Sequence, residues 1–242
     1  MSGVSLVTGS TRGIGAAIAR KLLACGDDVI VDYSADDEAA DAFLMSLPSS
    51  RAGMVTLVKY PVDSREGAED LASFAVNRFG GIDRLVLCCG ATDRTPFGEI
   101  REEEWERVMD VNVNAPLWLV QALSGSIRDG GSVLFIGSVL GIHPHSTSLA
   151  YGVSKAACHQ LARSLAKEMA PAGVTVNAIA PGFVETGWHR SKSAPMKGRI
   201  AGKSLARRFA KPEEIADFAV AVMGNRFVTG AVLSIDGGYC CE

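Results

Sequence analysis

From one end of the chain to the other, short runs rich in β-branched residues alternate with longer stretches in which apolar residues recur every three or four positions. The short runs are Ser5–Thr8, Val29–Tyr33, Val55–Tyr60, Arg84–Leu87, Ser132–Ile136, Thr175–Ala178 and Val232–Ile235, several of them nearly all apolar, as strands covered on both faces are. Between them lie Ile14–Ala24, Asp37–Leu47, Glu66–Phe79, Glu102–Ile127, Tyr151–Met169 and Pro212–Met223 with helical spacing. Parallel neighbours must be joined by crossovers, usually helical, so this rhythm predicts a parallel sheet with helices on both faces. No linker-like shift in composition, fixed-period repeat or low-complexity tract interrupts it. Residues 1–242 therefore read as one doubly wound α/β domain. The stretch Gly182–Phe209 is long and poor in strand pattern, which in a compact domain predicts a lid over a binding site.

Composition narrows the partners. With 48% apolar and 21% charged residues the chain is no disordered segment, and its formal charge of −3 gives no overall drive toward nucleic acid or anionic membrane. Every apolar run is shorter than the roughly 18 residues a bilayer crossing needs. The N-terminus, Met1-Ser2-Gly3-Val4-Ser5-Leu6-Val7-Thr8-Gly9, has no basic region ahead of an apolar core, so a soluble, cytoplasmic protein is expected. The six cysteines have no C-x-x-C spacing. His143 and His145 read as a loop pair, because no nearby Cys or acid completes a metal ligand set.

Directly after the first strand run comes Thr8-Gly9-Ser10-Thr11-Arg12-Gly13-Ile14-Gly15, opening a helical stretch. Three glycines there permit a tight turn, close approach of backbone N–H groups to a pyrophosphate, and close packing of helix on strand. The helix N-terminus adds unpaired donors and partial positive charge. At the end of the second run an acid would hold a ribose 2′-hydroxyl and a base would accept a 2′-phosphate. Asp32, 17 residues after Gly15, and Arg12 within the turn point in opposite directions, and a solvated strand end serves equally well for Asp32. Asp36, Asp37 and Glu38 suit the start of the next helix.

Tyr151 and Lys155 are four apart at the start of a helical stretch and share one face. An ammonium beside a phenol stabilises the phenolate, which makes Tyr151 a usable general acid or base. Ser138 follows the fifth run at what would be the ligand-binding rim of a parallel sheet, and its hydroxyl is placed to donate to a carbonyl oxygen.

Taken in order, the glycine turn, Asn112 in Asp110-Val111-Asn112-Val113, Ser138, Tyr151 with Lys155, Val176-Asn177-Ala178-Ile179-Ala180-Pro181-Gly182 with Thr186, and Asp236-Gly237-Gly238 resemble the short-chain dehydrogenase/reductase family over essentially the whole chain. The resemblance implies a seven-stranded Rossmann fold, usually tetrameric, and a tetrad of Asn112, Ser138, Tyr151 and Lys155. In it Tyr151 would pass the proton, Ser138 would polarise the substrate oxygen, Lys155 would bind the nicotinamide ribose, and Asn112 would hold a kinked helix and a relay water. The same resemblance places the cofactor on Gly9, Ser10, Thr11, Arg12, Gly13, Ile14 and Gly15. It adds Asp32, Tyr33 and Ser34 after the second strand, then Asp63 at the adenine, Gly90, Tyr151 and Lys155, and finally Pro181, Gly182, Val184 and Thr186. Two departures stand out: Leu87-Cys88-Cys89-Gly90 replaces the usual Asn-Asn-Ala-Gly, and Tyr33 stands where NAD-preferring members carry the diagnostic acid. With Arg12 in the turn, NADP(H) is the expected cofactor and NAD(H) the alternative.

Within the family the chain is most similar to 3-oxoacyl-[acyl-carrier-protein] reductases. The resemblance rests on the glycine turn, Ile136-Gly137-Ser138-Val139, Pro181-Gly182-Phe183-Val184-Glu185-Thr186 and Lys211-Pro212-Glu213-Glu214-Ile215. A carbonyl or secondary alcohol substrate, including acyl thioesters, is implied. The two arginines on which the carrier protein docks in those enzymes correspond here to Asp129 and Ala172, with Arg128 beside the first, and an acid facing an acidic partner is unfavourable. Alternatives are an NAD-dependent hydroxysteroid or sugar-type alcohol dehydrogenase and a non-catalytic cofactor-binding regulator. From Gly187 to Arg208 the chain carries Arg190, Lys192, Lys197, Arg199, Lys203, Arg207 and Arg208 with no acid. That run reads first as a solvated helical lid, and its potential would also favour an anionic acyl or phosphorylated substrate.

Overall fold

The computed structural model describes residues 3–144 and 148–241. Its strands are β1 (Val4–Val7), β2 (Asp28–Tyr33), β3 (Val55–Lys59), β4 (Ile82–Leu87), β5 (Ile127–Ile136), β6 (Thr175–Pro181) and β7 (Val232–Ile235). They form one parallel seven-stranded sheet in the order β3-β2-β1-β4-β5-β6-β7. The helices are α1 (Gly13–Ala24), α2 (Asp37–Met45), α3 (Ser49–Ala52), α4 (Arg65–Phe79), α5 (Glu102–Met109), α6 (Ala115–Leu123), α7 (Leu149–Met169), α8 (Ala194–Ala201) and α9 (Pro212–Gly224). Among the described residues no helix is long and apolar enough to cross a membrane.

The two-residue period of the strands divides the core. Leu6, Ile30, Leu85, Val133, Phe135 and Val176 face one way and pack with Leu71 of α4, Leu119 and Leu123 of α6 and Ala162 of α7. Val7, Val29, Val31, Val86, Leu134 and Ile179 face the other way, against Ile18 and Leu22 of α1, Phe43 of α2 and Ile215 of α9. Leu119, Leu123, Ile18 and Ile215 are wholly buried, each contributing about 1.5–3 kcal/mol. The chain leaves β3 for the far side of β1 through α4, so strand order reverses between β1 and β4. A crevice opens at the carboxyl ends of the strands at such a switch point.

Local chemistry sets the helix starts. Asp36 caps α2 by accepting from the Ala39 N–H at 2.9 Å, and Asp37 and Glu38 occupy its first turn, as their charges suggested. Ser64 caps α4 by accepting from Gly67, and Glu214 accepts from the Lys211 N–H at the start of α9.

Several elements differ from the sequence expectation, α3 among them, which the periodicity did not show. The helix expected over Glu102–Ile127 is two helices, α5 and α6, joined by a π-helical turn at Asp110–Asn114. One wide turn shifts the apolar face without abolishing its spacing, so periodicity alone reads straight through it. Strand β5 starts at Ile127 instead of Ser132. Its pairing with β4 is irregular between Ile82 and Arg84, and Gly130 takes φ +81°, so the stretch reads as a loop in sequence. Strand β6 continues to Pro181 because Ile179, Ala180 and Pro181 pair with β7. The segment 182–209 holds a 3-10 turn (Gly187–His189), α8, and a bridge from Val184 to Ala210.

Candidate active site

The crevice is a cavity of about 1440 Å³, larger than the roughly 300–1,000 Å³ of a site for one drug-sized ligand. Its floor at one end is the glycine turn. Gly9 and Gly13 take φ of +60° and +58°, conformations that side chains resist. A Cβ on Gly15 would stand 2.5 Å from the Gly9 carbonyl oxygen, so the start of α1 lies directly on the turn. Arg12, at the N-cap of α1, supplies no side-chain cap, which leaves the N–H groups of the first turn without a side-chain acceptor. Together these features fit a pyrophosphate.

Ser10 and Thr11 are buried beneath this surface. Ser10 donates from Oγ to the Val7 carbonyl at 2.6 Å and from its N–H to the Asp32 carbonyl, tying the turn to β2. Gly9, Arg12, Gly13, Ile14, Gly15, Ser34, Asp63 and Gly90 all line the cavity, and Asp32 and Tyr33 do not. Asp32 is 1% exposed: Oδ1 accepts from the Tyr60 N–H at 3.4 Å and Oδ2 has no partner. Burial outweighs its backbone hydrogen bonds and raises its pKa to about 7. This is not the solvated strand end that sequence allowed. The Tyr33 hydroxyl donates to Asp37 on the exposed side, and Arg12 pairs with Asp36 at 2.6 Å with both side chains largely in solvent.

At the centre, Lys155 on α7 donates from Nζ to the Ile136 carbonyl at 2.8 Å and stands 5.6 Å from the centre of the Tyr151 ring. Burial disfavours its charged form, but the facing Tyr151 and the thiols of Cys158, Cys88 and Cys89 outweigh this and move its pKa upward. Ser138 opens the short turn after β5. Its Oγ accepts from the Leu140 N–H at 3.2 Å, which leaves the hydroxyl hydrogen for an acceptor in the cavity, and its own N–H donates to His159 Nε2 at 3.4 Å. Ser138, Tyr151 and Lys155 line the cavity together.

Asn112 lies behind them, 1% exposed, in the π turn. Its Nδ2 donates to the Ala91 carbonyl and to Ser154 Oγ, and its Oδ1 accepts from the Ala91 N–H at 2.8 Å. One amide thus clamps the loop after β4 to α7. The Asn112 carbonyl accepts from the Cys158 thiol. Cys88 and Cys89 stand at the second asparagine and the alanine of the usual pattern, and Thr8 supplies a brace: its Oγ1 accepts the N–H of both, at 3.0 and 3.2 Å. Burial pushes the two thiols up to about 11 and about 12, which keeps them un-ionised and unreactive.

Pro181, Gly182, Val184 and Thr186 close the far wall, with Thr186 Cγ2 3.4 Å from where a Gly13 Cβ would be. Behind Gly182, Asp236 accepts from the N–H groups of Gly238 and Cys240, so Asp236-Gly237-Gly238 is a tight turn supporting that wall. Sequence reasoning did not find Thr8, Arg94, His159, Trp188 or His189. His159 carried a signal, since it lies four residues beyond Lys155 on the same helical face. Trp188, whose ring centre is 5.5 Å from that of Tyr151, and Arg94 carried none. His143 meets the Tyr239 ring edge-on, and His145 lies outside the described residues.

A family model described as enoyl-(acyl carrier protein) reductase matches residues 9–240. A 3-oxoacyl-[acyl-carrier-protein] reductase of Synechocystis sp. is 33% identical over 97% of this chain and 96% of its own. Among solved structures, a blue fluorescent protein from a metagenomic library in complex with NADPH superposes with TM-score 0.91 at 30% identity, covering 98% of this chain and 97% of that one. The RhlG/NADP active-site complex of Pseudomonas aeruginosa gives TM-score 0.91 at 33% identity, covering 98% and 95%.

Proposed function

Because the chain belongs to the short-chain dehydrogenase/reductase family, and is an NAD(P)-dependent oxidoreductase, we propose that it reduces 3-oxoacyl thioesters to the secondary alcohols with NADPH. The observation that carries this reading is the convergence of Ser138, Tyr151 and Lys155 on the same cavity as the anion-binding glycine turn. When bound, a nicotinamide cofactor supplies the hydride. Gly9, Gly13 and Gly15 with the start of α1 hold its pyrophosphate, Asp63 the adenine end, Lys155 the nicotinamide ribose, and Thr186 with Pro181, Gly182 and Val184 the nicotinamide end.

The protein's own residues handle the proton. Tyr151 gives its hydroxyl proton to the substrate oxygen, and the Lys155 ammonium stabilises the phenolate left behind. Ser138 donates its hydroxyl hydrogen to the same oxygen and holds it in place. Asn112 keeps α7 and the loop at Ala91 in register, so that the three acting groups share one geometry. Residues 182–209 form the lid.

NADP is favoured because the exposed end of β2 offers the cavity Ser34 and, from the glycine turn, Arg12, whereas the carboxylate of Asp32 is turned away and buried. Similarity to enzymes that act on carrier-protein thioesters supports the substrate class. Docking of the carrier itself is disfavoured: Asp129 and Ala172 offer no cation, and Arg128 is engaged with Asp83 at 2.6 Å and with the Phe79 carbonyl. The test compares kcat/KM for NADPH and NADH with a 3-oxoacyl N-acetylcysteamine thioester. A clear NADPH preference with reduction at C3 is expected, and no thioester reduction, or preference for NADH, overturns it.

A further inference from the structure

The charges lining the cavity are unbalanced. Asp63 is its one acid among the described residues, whereas Arg12, Arg94, Lys155, Arg190, Lys192, Arg199 and Lys203 are all cations. Arg12 has Asp36 as partner and Lys155 belongs to the catalytic group. Of the rest, Arg94, Arg190, Lys192, Arg199 and Lys203 make no ion pair among the described residues.

The arrangement is also fixed in place. Phe183, His189 and Phe209 pack ring against ring, with His189 5.0 Å from Phe209 and 6.1 Å from Phe183. His189 Nδ1 lies 2.9 Å from Lys192 Nζ, which also reaches the Trp188 carbonyl at 3.5 Å. An ammonium can only donate, so the ring nitrogen facing it accepts and the histidine is neutral. Burial, then the charges of Lys192, Arg94 and Lys197, drives His189 down to about 4. Burial, then Arg94 and Lys197, lowers Lys192 as well. Like charges are thus gathered around a half-buried ammonium that pairs with no carboxylate among the described residues, a state that an incoming anion relieves. The Trp188 ring packs at a tilt against that of Tyr151, 5.5 Å between centres, so the cluster sits one side chain away from the point of proton transfer.

We propose that Lys192, with Arg94 on the same cavity wall, forms an anion subsite that binds a carboxylate or phosphate on the substrate arm remote from the reacting carbonyl. The proposal rests on the carbonyl-reductase reading and names the substrate class of that site: oxo substrates that carry a second, anionic group.

Two measurements separate this claim from the one beneath it. Calorimetric titration of the protein loaded with NADP⁺, which cannot reduce the ligand, compares ω-carboxy 3-oxo thioesters of graded chain length with their methyl esters. In parallel, NADPH oxidation gives kcat/KM for each pair and for a phosphate-bearing 3-oxoacyl thioester against its neutral N-acetylcysteamine counterpart. The anionic member should bind and react at least tenfold better at low salt. That ratio should collapse toward one in Lys192→Met and invert in Lys192→Glu, and it should fall with ionic strength. Arg94→Met should lower it in the same direction. Equal binding of acid and ester, or a ratio that Lys192→Glu leaves unchanged, overturns the subsite. Discrimination in binding without turnover of any substrate keeps the subsite and overturns the reductase reading. Preference for the phosphate over the carboxylate at equal chain length identifies which anion the site takes.

Discussion

Replacing Asp32 by Asn should stabilise the protein at neutral and alkaline pH and change little in acid. The carboxyl is buried between β2 and the glycine turn, with one oxygen accepting from Tyr60 and the other partnerless. Its pKa is raised from 3.8 to about 7, chiefly by burial. A carboxyl whose folded pKa exceeds its unfolded value binds its proton more tightly in the native state. Its favourable contribution is complete below about pH 4 and is lost as pH rises through about 7. Three units at 1.36 kcal/mol each make that loss about 4 kcal/mol. An amide of the same shape does not titrate. Stability from urea unfolding, measured from pH 4 to 9 for both proteins, should therefore diverge in favour of Asp32→Asn, the gap growing by up to about 4 kcal/mol and levelling off above pH 7. Parallel profiles would show that Asp32 titrates normally in the folded protein and would refute the reasoning.

Other consequences follow from single contacts. Gly15→Ala puts a methyl group 2.5 Å from the Gly9 carbonyl oxygen; a stability loss of about 1–3 kcal/mol and weakened NADPH binding are expected, by thermal unfolding and fluorescence titration. Burial and the nearby charges of Lys155 and Arg163 hold buried His159 down at about 4. Its neutral form is favoured on folding, so stability is full above pH 6.5 and falls by about 3 kcal/mol as pH drops toward 4; His159→Gln, which keeps an acceptor for the Ser138 N–H, should flatten that limb of the unfolding profile. Arg12→Glu should lower kcat/KM with NADPH at least tenfold and leave the NADH value within a few fold, whereas equal losses with both would place the 2′-phosphate elsewhere.

The topology was legible because strand–helix alternation admits few solutions, and the glycine turn because its position between strand and helix is what its chemistry requires. The burial of Asp32 was not legible: an acid near the end of a strand reads as a ribose contact or a solvated end, and only the pairing of β2 with β1 and β3 and the glycine turn over it close it off. Other features lay outside any local pattern. The π turn at Asn112 changes the phase of a periodic stretch by a single residue. The start of β5 passes through Gly130 and Gly131, which look like a loop until Ile127 is seen beside Ile82. The contact of Trp188 with Tyr151, and the approach of Arg94 to Lys192, join residues far apart in the chain and depend on how the segment after β6 folds back over the crevice.

The proton transfer assigned to Tyr151 is tested most directly by Tyr151→Phe, which removes one oxygen and keeps the ring against Trp188. NADPH-dependent reduction of a 3-oxoacyl thioester should fall by on the order of 10²–10⁴, while NADPH binding, followed by tryptophan fluorescence, persists. Turnover close to that of the unmodified protein, with the phenol gone, would contradict the account.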